Sequence, residues 1–409
     1  MFWLPVIVSA VAFALVLFFW GREAFLVNKA RIAIPHRILV VGSRGKSGTV
    51  RLLSALLKGI GTPTYAKITG TVAEEIDTSG FVSKTKRLGP VSATEMLDVL
   101  IRAHRNGASA AVFECMAVLP KLIWFVQNRI VQAPIVIIPT IRLDHLEDEG
   151  DTLSGITKGI ISGLKHVEVL ITGEQNEQSL KVMRSWARKN QVNFIQATPS
   201  DLTPQIPGHH PTNIETAFAV AEYLGISQSD ALDAILSATR EPDSEIGWEL
   251  ITDGRVLRFS DLGGANDPQS SAEAVLRAYD FSPDSNVIPV LVNRWDRPLR
   301  TIAFSYSLRP GPDTPSVGII GPAIPQVRRA LRDQGFRKEQ IHHINWRSTL
   351  TRGLTIHTLK RLAGDRKNAW FAVVENIHAL PADRMRNTIH SVGSPLTQDD
   401  LSSRGEHNA

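Results

Sequence analysis

The chain has 409 residues, enough for two or three domains, and its 43% apolar and 21% charged content is that of an ordinary α/β protein. The formal net charge of +5, with no Lys/Arg block interleaved with aromatics, gives no footprint for nucleic acid. A single cysteine, Cys115, excludes an intrachain disulfide framework and a cysteine-built zinc cluster, and is compatible with a reducing compartment.

Residues 2–20 form an uncharged apolar run long enough to cross a bilayer as a helix, with Trp3 and Trp20 near its ends, where aromatic rings favour the interface. Arg22, Lys29, Arg31 and Arg37 follow and nothing basic precedes, so the positive-inside rule puts the C-terminal side in the cytoplasm. A cleaved signal peptide would want a basic start and a small-residue cleavage site, and neither is evident. The expectation is a transmembrane anchor over residues 1–21, a juxtamembrane helix or linker over 22–36, and a cytoplasmic catalytic body.

Residues 38–41 are four aliphatics in a row, the pattern of a strand buried on both faces of a parallel sheet. Gly42-Ser43-Arg44-Gly45-Lys46-Ser47 breaks the run, and helical periodicity begins at Gly48. Strand, glycine loop and helix together make a phosphate loop, although its glycines stand closer than in the usual G-x-x-x-x-G-K-[ST]. Glycines let backbone N–H groups converge on phosphate, and the helix N-terminus adds partial positive charge. Lys46 would reach the β- and γ-phosphates of a bound nucleotide and the Ser47 hydroxyl would ligate Mg²⁺. The plain alternative is a turn that needs glycine for its backbone angles.

Further along, residues 65–70 read as extended, and Thr69-Gly70-Thr71 is either a turn approaching phosphate or substrate, or an ordinary loop. A helix is expected over 94–105 and a buried strand over 110–114. Glu114 ends that strand at the edge where α/β sheets bind ligands, so it is a candidate Mg²⁺ ligand, the alternative being a buried structural glutamate. Cys115 reads as packing. A strand over 134–139 runs into Asp144, His145, Glu147, Asp148 and Glu149, either a second metal or phosphate-adjacent site or a solvated acidic loop. Helices over 152–162, 212–224 and 227–238 and strands over 167–172 and 193–198 complete a domain of residues 37–246. His209 and His210 are expected in an exposed loop. After a linker-like stretch at 240–247, a second α/β domain is expected over 247–397. Its strands fall at 248–251, 256–261, 287–292, 317–320 and 370–374, its helices at 271–279 and 325–334. His342 and His343 are placed before a short strand, and 398–409 is a polar tail expected to be disordered.

Taken in order, G-S-R-G-K-S (42–47), T-G-T (69–71), F-E-C-M-A-V (113–118), L-D-H-L-E-D (143–148), N-I-E-T-A (213–217), D-L-G-G-A-N-D-P-Q-S (261–270) and V-N-R-W-D-R (292–297) resemble the Mur-ligase superfamily of ATP-dependent amide ligases. That superfamily includes the folylpolyglutamate synthases; the resemblance is stronger to its membrane-anchored poly-γ-glutamate synthase branch and covers the chain from the anchor to about residue 378. It implies a P-loop-containing, mainly parallel α/β domain followed by a smaller Rossmann-like α/β domain, with ATP and Mg²⁺ as cofactors. By position, Lys46 and Ser47 hold phosphate and metal, Glu114 and His145 are metal ligands, Asn213 contacts adenine, and Asp261 lies near ribose and metal. The sequence departs from the pattern at three places. Ile160 stands where the superfamily often has a carbamylated lysine, with Lys158 nearby. The linker arginine is displaced, Gly247 being followed by Trp248, with Arg240 a candidate substitute, and residues 375–379 read E-N-I-H-A.

The resemblance implies a ligase joining glutamate by γ-linkage to a growing poly-γ-glutamate chain at the cytoplasmic membrane face, with small membrane subunits as partners, no nucleic acid, and homo-oligomerisation left open. The alternatives are a membrane-anchored P-loop ATPase or nucleotide switch driving a transporter or scaffold, and a ligase for another amino acid.

Overall fold

The computed structural model describes residues 3–70, 73–85, 92–117, 119–143, 152–203, 209–238, 247–261, 268, 271–272, 275–276, 286–293, 298–311, 314–322, 324–375 and 380–396. The chain forms two compact units, Met1–Glu241 and Pro242–Ala409.

The first unit is built on an eight-stranded sheet. Its strands are β1 (His36–Val40), β2 (Thr64–Ile68), β3 (Glu74–Ile76), β4 (Val82–Lys84), β5 (Ala110–Glu114), β6 (Ile135–Ile138), β7 (Val169–Thr172) and β8 (Asn193–Gln196), in the order β4-β3-β2-β5-β1-β6-β7-β8. From β2 to β8 every neighbouring pair is parallel, while β3 and β4 add an antiparallel extension. Apolar residues on both sides of β1 explain its central place. Leu39 packs with the helices on one face, and Ile38 and Val40 with those on the other. Helix α2 (Lys46–Gly59) lies on the second face with the helices Pro211–Tyr223 and Gln228–Leu236. The first face carries α3 (Glu95–Arg105), α4 (Pro120–Phe125) running into a π-helical turn Val126–Val131, and the helices Leu153–Ser162 and Glu177–Asn190.

Helix α1 (Trp3–Ala33) covers the apolar run from Trp3 onward and continues well past it. The stretch expected as juxtamembrane helix or linker is therefore helical up to Ala33. Val27, Ala30 and Ile34 are buried against Val99, Leu100 and Ala103, while most of the helix before Leu26 is exposed. Arg31 donates to the carbonyls of Ile130 (2.7 Å) and Arg129. Arg37 donates to Val131 O and Gln132 O, both at 2.9 Å, and to Arg31 O at 2.8 Å. The two guanidinium groups thus tie the end of α1 to the end of the π-helical turn, whose carbonyls have no helical partner.

The second unit has seven strands: β9 (Gly247–Thr252), β10 (Arg255–Asp261), β11 (Asn286–Val292), β12 (Val317–Ile320), β13 (Ile341–Ile344), β14 (Asn368–Glu375) and β15 (Ser394–Leu396), in the order β13-β12-β11-β14-β10-β9-β15. The first five of that order are parallel; β9 and β15 are antiparallel. Buried residues from the helices Pro298–Ser307 and Pro325–Asp333 belong to one core, and those from Arg352–Ala363 and Leu380–Val392 to the other. His342 and His343 lie within β13 rather than before a strand, and His343 Nε2 is 2.8 Å from Gly321 O.

Candidate functional site

Strands β1, β2, β5, β6 and β7 bring their C-terminal ends to one edge of the first sheet, and the sequence-predicted loop sits there. Parallel pairing opposite Val40 puts Glu114 level with the start of the loop. The amides of Ser43 and Arg44 donate to Thr140 O, at 3.2 and 3.4 Å, so the loop leans on the segment that follows β6. Gly45 caps α2 in the left-handed region at φ 77°, where a Cβ would lie 2.3 Å from Asn213 Oδ1. Glycine is required there twice over, for the backbone angle and for the close approach of Asn213. Lys46 Nζ donates to Gly42 O (2.6 Å) and Ser43 O (3.2 Å), which holds the ammonium at the loop. Gly48 follows in the first turn of α2.

Ser47 Oγ donates to Glu114 Oε2 at 2.9 Å, and the Thr69 amide donates to the same oxygen at 2.7 Å. Glu114 is 3% exposed. A Cβ on Gly70 would come within 2.5 Å of Ser47 Oγ, so the Thr69-Gly70 turn packs directly on the serine that ends the loop. One hydroxyl and one carboxylate are hard oxygen donors, suited to Mg²⁺ or Mn²⁺, which keep waters and bind through one or two protein groups together with phosphate. Among the described residues no three His, Cys, Asp or Glu side chains gather into a larger cage. Cys115 is buried just beyond Glu114, and burial pushes its thiol up to about 11, the behaviour of a packing residue.

Asn213 is 2% exposed and reaches the loop from the first turn of the helix Pro211–Tyr223, as its backbone position after the His210 cap dictates. His210 is exposed as expected, whereas His209 is half-buried with both ring nitrogens buried; His210 also has a structural task, its Nδ1 accepting from Thr212 N. His145, with Asp144 and Glu147–Glu149, lies outside the described residues, as do Thr71, Arg240, residues 262–267, 294–297 and 376–379, and the tail. Asp261 ends β10 in the second unit, in register with Val373 of β14.

Two groups near this edge were not singled out by the sequence. Glu174, 1% exposed after β7, accepts from the amides of Ile141 (2.5 Å), Gln175 (2.9 Å) and Asn176 (2.7 Å), with Arg142 Nη1 at 3.6 Å. It clamps the same β6 segment whose Thr140 carbonyl supports the loop. An acid at the end of the apolar run V-L-I-T-G-E carries the same signal that marked Glu114. Lys67, 1% exposed on β2, pairs with Glu95 at 2.7 Å and lies 3.9 Å from Glu75. Glu75 also accepts from Tyr65 Oη and, in a two-pronged contact, from Arg102 Nε and Nη2 at 2.9 and 2.8 Å. Burial alone would raise the Glu75 carboxyl, but the hydrogen bonds from Arg102 and Tyr65 and the charges of Arg102 and Lys67 hold it below its ordinary value.

Residues 249–391 match the family model described as the poly-gamma-glutamate synthase CapB C-terminal domain. Over 326 residues the chain is 27% identical to the PGA synthase CapB of Bacillus subtilis, an alignment covering 78% of this chain and 82% of that protein. Among solved structures it resembles the Mycobacterium tuberculosis folylpolyglutamate synthase complexed with ADP and AMPPCP, at a TM-score of 0.59 and 14% identity over 88% of this chain and 94% of the other. It also resembles MurF of Acinetobacter baumannii, at a TM-score of 0.60 and 14% identity over 90% and 79%. The fold is that of the Mur ligases and folylpolyglutamate synthases, two α/β units with a separate sheet in each.

Proposed function

We infer that this chain, a relative of the CapB poly-γ-glutamate synthases built on the Mur-ligase fold, is an ATP-dependent γ-glutamyl ligase. Amide formation from a carboxylate and an amine is slow in water because the carboxylate oxygen is a poor leaving group. ATP removes that obstacle. A carboxylate oxygen attacks the γ-phosphorus, ADP leaves, and an acyl phosphate forms. The amine of a second glutamate then attacks the acyl carbon, phosphate departs with the bonding electron pair, and the nitrogen loses a proton to solvent. Joining through the γ-carboxylate gives poly-γ-glutamate, with free glutamate and the growing chain as the two substrates.

The observation that carries this reading is the convergence of Ser47 Oγ, the Glu114 carboxylate and the Thr69 amide on one point beside Lys46 and the loop glycines. ATP and a divalent metal fit that donor set, and Mg²⁺ is our choice for the metal. Bound between Ser47 and Glu114, it would screen negative charge as phosphate approaches carboxylate. Gly42, Ser43, Arg44, Gly45 and Gly48 form the phosphate cradle, and Lys46 follows the transferring phosphoryl group with its positive charge. Thr69 and Ser47 hold Glu114 in one rotamer. Asn213 lies against Gly45 of the loop; its contact with adenine rests on the resemblance. His145 as a further metal ligand, Asp261 near ribose and metal, and Arg240 as the linker arginine rest on the resemblance alone.

Helix α1 supports a single-pass anchor, because its apolar run is exposed throughout while its last turns are docked on the first unit. The catalytic units then lie in the cytoplasm, with small membrane subunits as partners and self-association open. The test uses membranes containing the chain, Mg-ATP and glutamate. We expect glutamate-dependent ADP release and, with hydroxylamine present, a glutamyl hydroxamate. ATP turnover indifferent to every amino acid, with no hydroxamate, would overturn the ligase mechanism.

A further inference from the structure

We propose that the N-terminal edge of the first sheet, opposite the nucleotide loop, is a docking surface for the anionic headgroups of the membrane that α1 enters. This rests on the anchor reading above, and not on the ligase reading.

The connections that precede β5, β6, β7 and β8 all lie at the N-terminal edge, because those strands are parallel. The helices before them deliver their C-terminal ends there, and these ends are basic and exposed. Arg105 closes α3, Arg129 lies in the π-helical turn, Lys165 follows the helix Leu153–Ser162, and Arg188 and Lys189 close the helix Glu177–Asn190. Among the described residues the acids on this side are Asp77, Glu168, Glu222, Asp230 and Asp233, with Glu23 on α1; Glu222, Asp230 and Asp233 belong to the helices on the second face. Cations at helix C-termini favour the helix dipole, which explains single residues. It does not explain why the membrane helix joins the domain at this same edge.

Helix α1 runs directly into β1 there, with only Ile34 and Pro35 between. Between the last aromatic of the apolar run, Trp20, and the first residue that packs on the domain, Leu26, there are five exposed helical residues. At 1.5 Å per residue they span roughly 8 Å, about one Debye length at physiological ionic strength. The exposed stretch of helix between the apolar run and the domain is thus no longer than the reach of the headgroup field. Each Lys or Arg that close to an anionic leaflet shifts the balance toward contact about fivefold, so three of them give about a hundredfold.

The experiment uses the full chain in nanodiscs of phosphatidylcholine alone or with phosphatidylglycerol. A fluorophore is placed on His166→Cys at the basic edge, or on Gln178→Cys in the first turn of the helix Glu177–Asn190 at the opposite edge, and quenched by a lipid-borne quencher. Cys115 is buried and does not compete for the label. We expect the His166→Cys probe to be quenched more in anionic discs and the Gln178→Cys probe to be unaffected by the lipid. The gain should vanish in high salt and in the triple variant Lys165→Glu, Arg188→Glu, Lys189→Glu, with about a hundredfold loss of the contacting state. Equal quenching in both lipids, or a gain that survives the triple reversal, overturns the proposal. So does capture of soluble poly-γ-glutamate by this edge with no response to lipid, which would assign the surface to product. Salt-washed flotation of the same samples reports the anchor independently, and a chain that fails to float overturns the anchor reading and the proposal with it.

Discussion

Replacing Gly45 by alanine should damage the nucleotide loop through two separable effects. At φ 77° an L-residue meets the left-handed penalty, roughly 1–2 kcal/mol. Its Cβ would also lie 2.3 Å from Asn213 Oδ1 and 3.1 Å from Pro139 Cβ, against 3.4 Å for an ordinary contact. Asn213 is nearly fully buried and has little room to withdraw, so overpacking adds about 1–3 kcal/mol. The single variant should therefore lose about 2–5 kcal/mol. With Asn213→Ala already in place most of the steric part disappears, leaving about 1–2 kcal/mol and the tight approach to Pro139 Cβ. Hydrogen exchange of amides in β1 and α2 under native conditions reads this locally, without assuming that both units unfold together. The two substitutions should couple by about 1–3 kcal/mol. Additivity within about 0.5 kcal/mol would refute the contact between Gly45 and Asn213, and with it the support that Asn213 gives the loop.

Lys46→Ala should abolish nucleotide turnover while leaving the circular dichroism and melting of the chain nearly unchanged; retained turnover would dismiss the loop. Glu114→Gln should move the Mg²⁺ dependence of turnover to higher metal concentration, and coincident metal titrations would confine Glu114 to a structural role. Glu174→Gln keeps one acceptor oxygen for at least three amides, so we expect a loss of about 1.5–3 kcal/mol and a raised KM for ATP; a loss of stability with KM unchanged would separate Glu174 from the loop. Because the Glu75 carboxyl is depressed, the unfolded chain binds the extra proton first. Its stabilising contribution is fully present above the ordinary carboxylate value and is lost as pH falls through the depressed one. Arg102→Met should shrink that acid-side loss in urea titrations run at several pH values, and an unchanged pH dependence would remove the pairing from the account.

The loop, its strand and α2 were legible because aliphatic runs and glycines are local signals, and the strand-end rule was enough to mark Glu114. Asn213 came from resemblance; no periodicity distinguishes it from other polar residues in a first helical turn. What holds Glu114 was less accessible. The Thr69 N–H is backbone and has no identity in a sequence, so the turn stayed open between two readings until pairing of β2 with β5 set it beside Ser47. The helix Glu177–Asn190 escaped because it buries only Ser179, Leu180, Met183 and Ala187 among charged neighbours. Strands β3 and β4, E-E-I and V-S-K, are three residues each and carry little apolar signal. Lys67 and Glu75 carry no local signal of burial and are nonetheless buried partners, a pairing that only the tertiary fold creates.

The splint of Arg31 and Arg37 bears on mechanics. Membrane helices meet a thicker or thinner bilayer by changing tilt, and most tethered enzymes absorb that rotation in a slack connector. Here α1 is continuous to Ala33, two residues separate it from β1, and the guanidinium groups brace the junction from the side. On the anchor reading proposed above, rotation of α1 would be rotation of the central strand, and the nucleotide loop at the far end of β1 would turn with it. Bilayer thickness would then set the angle at which the nucleotide site is presented, which polarised fluorescence of bound nucleotide in oriented membranes of different chain length would follow.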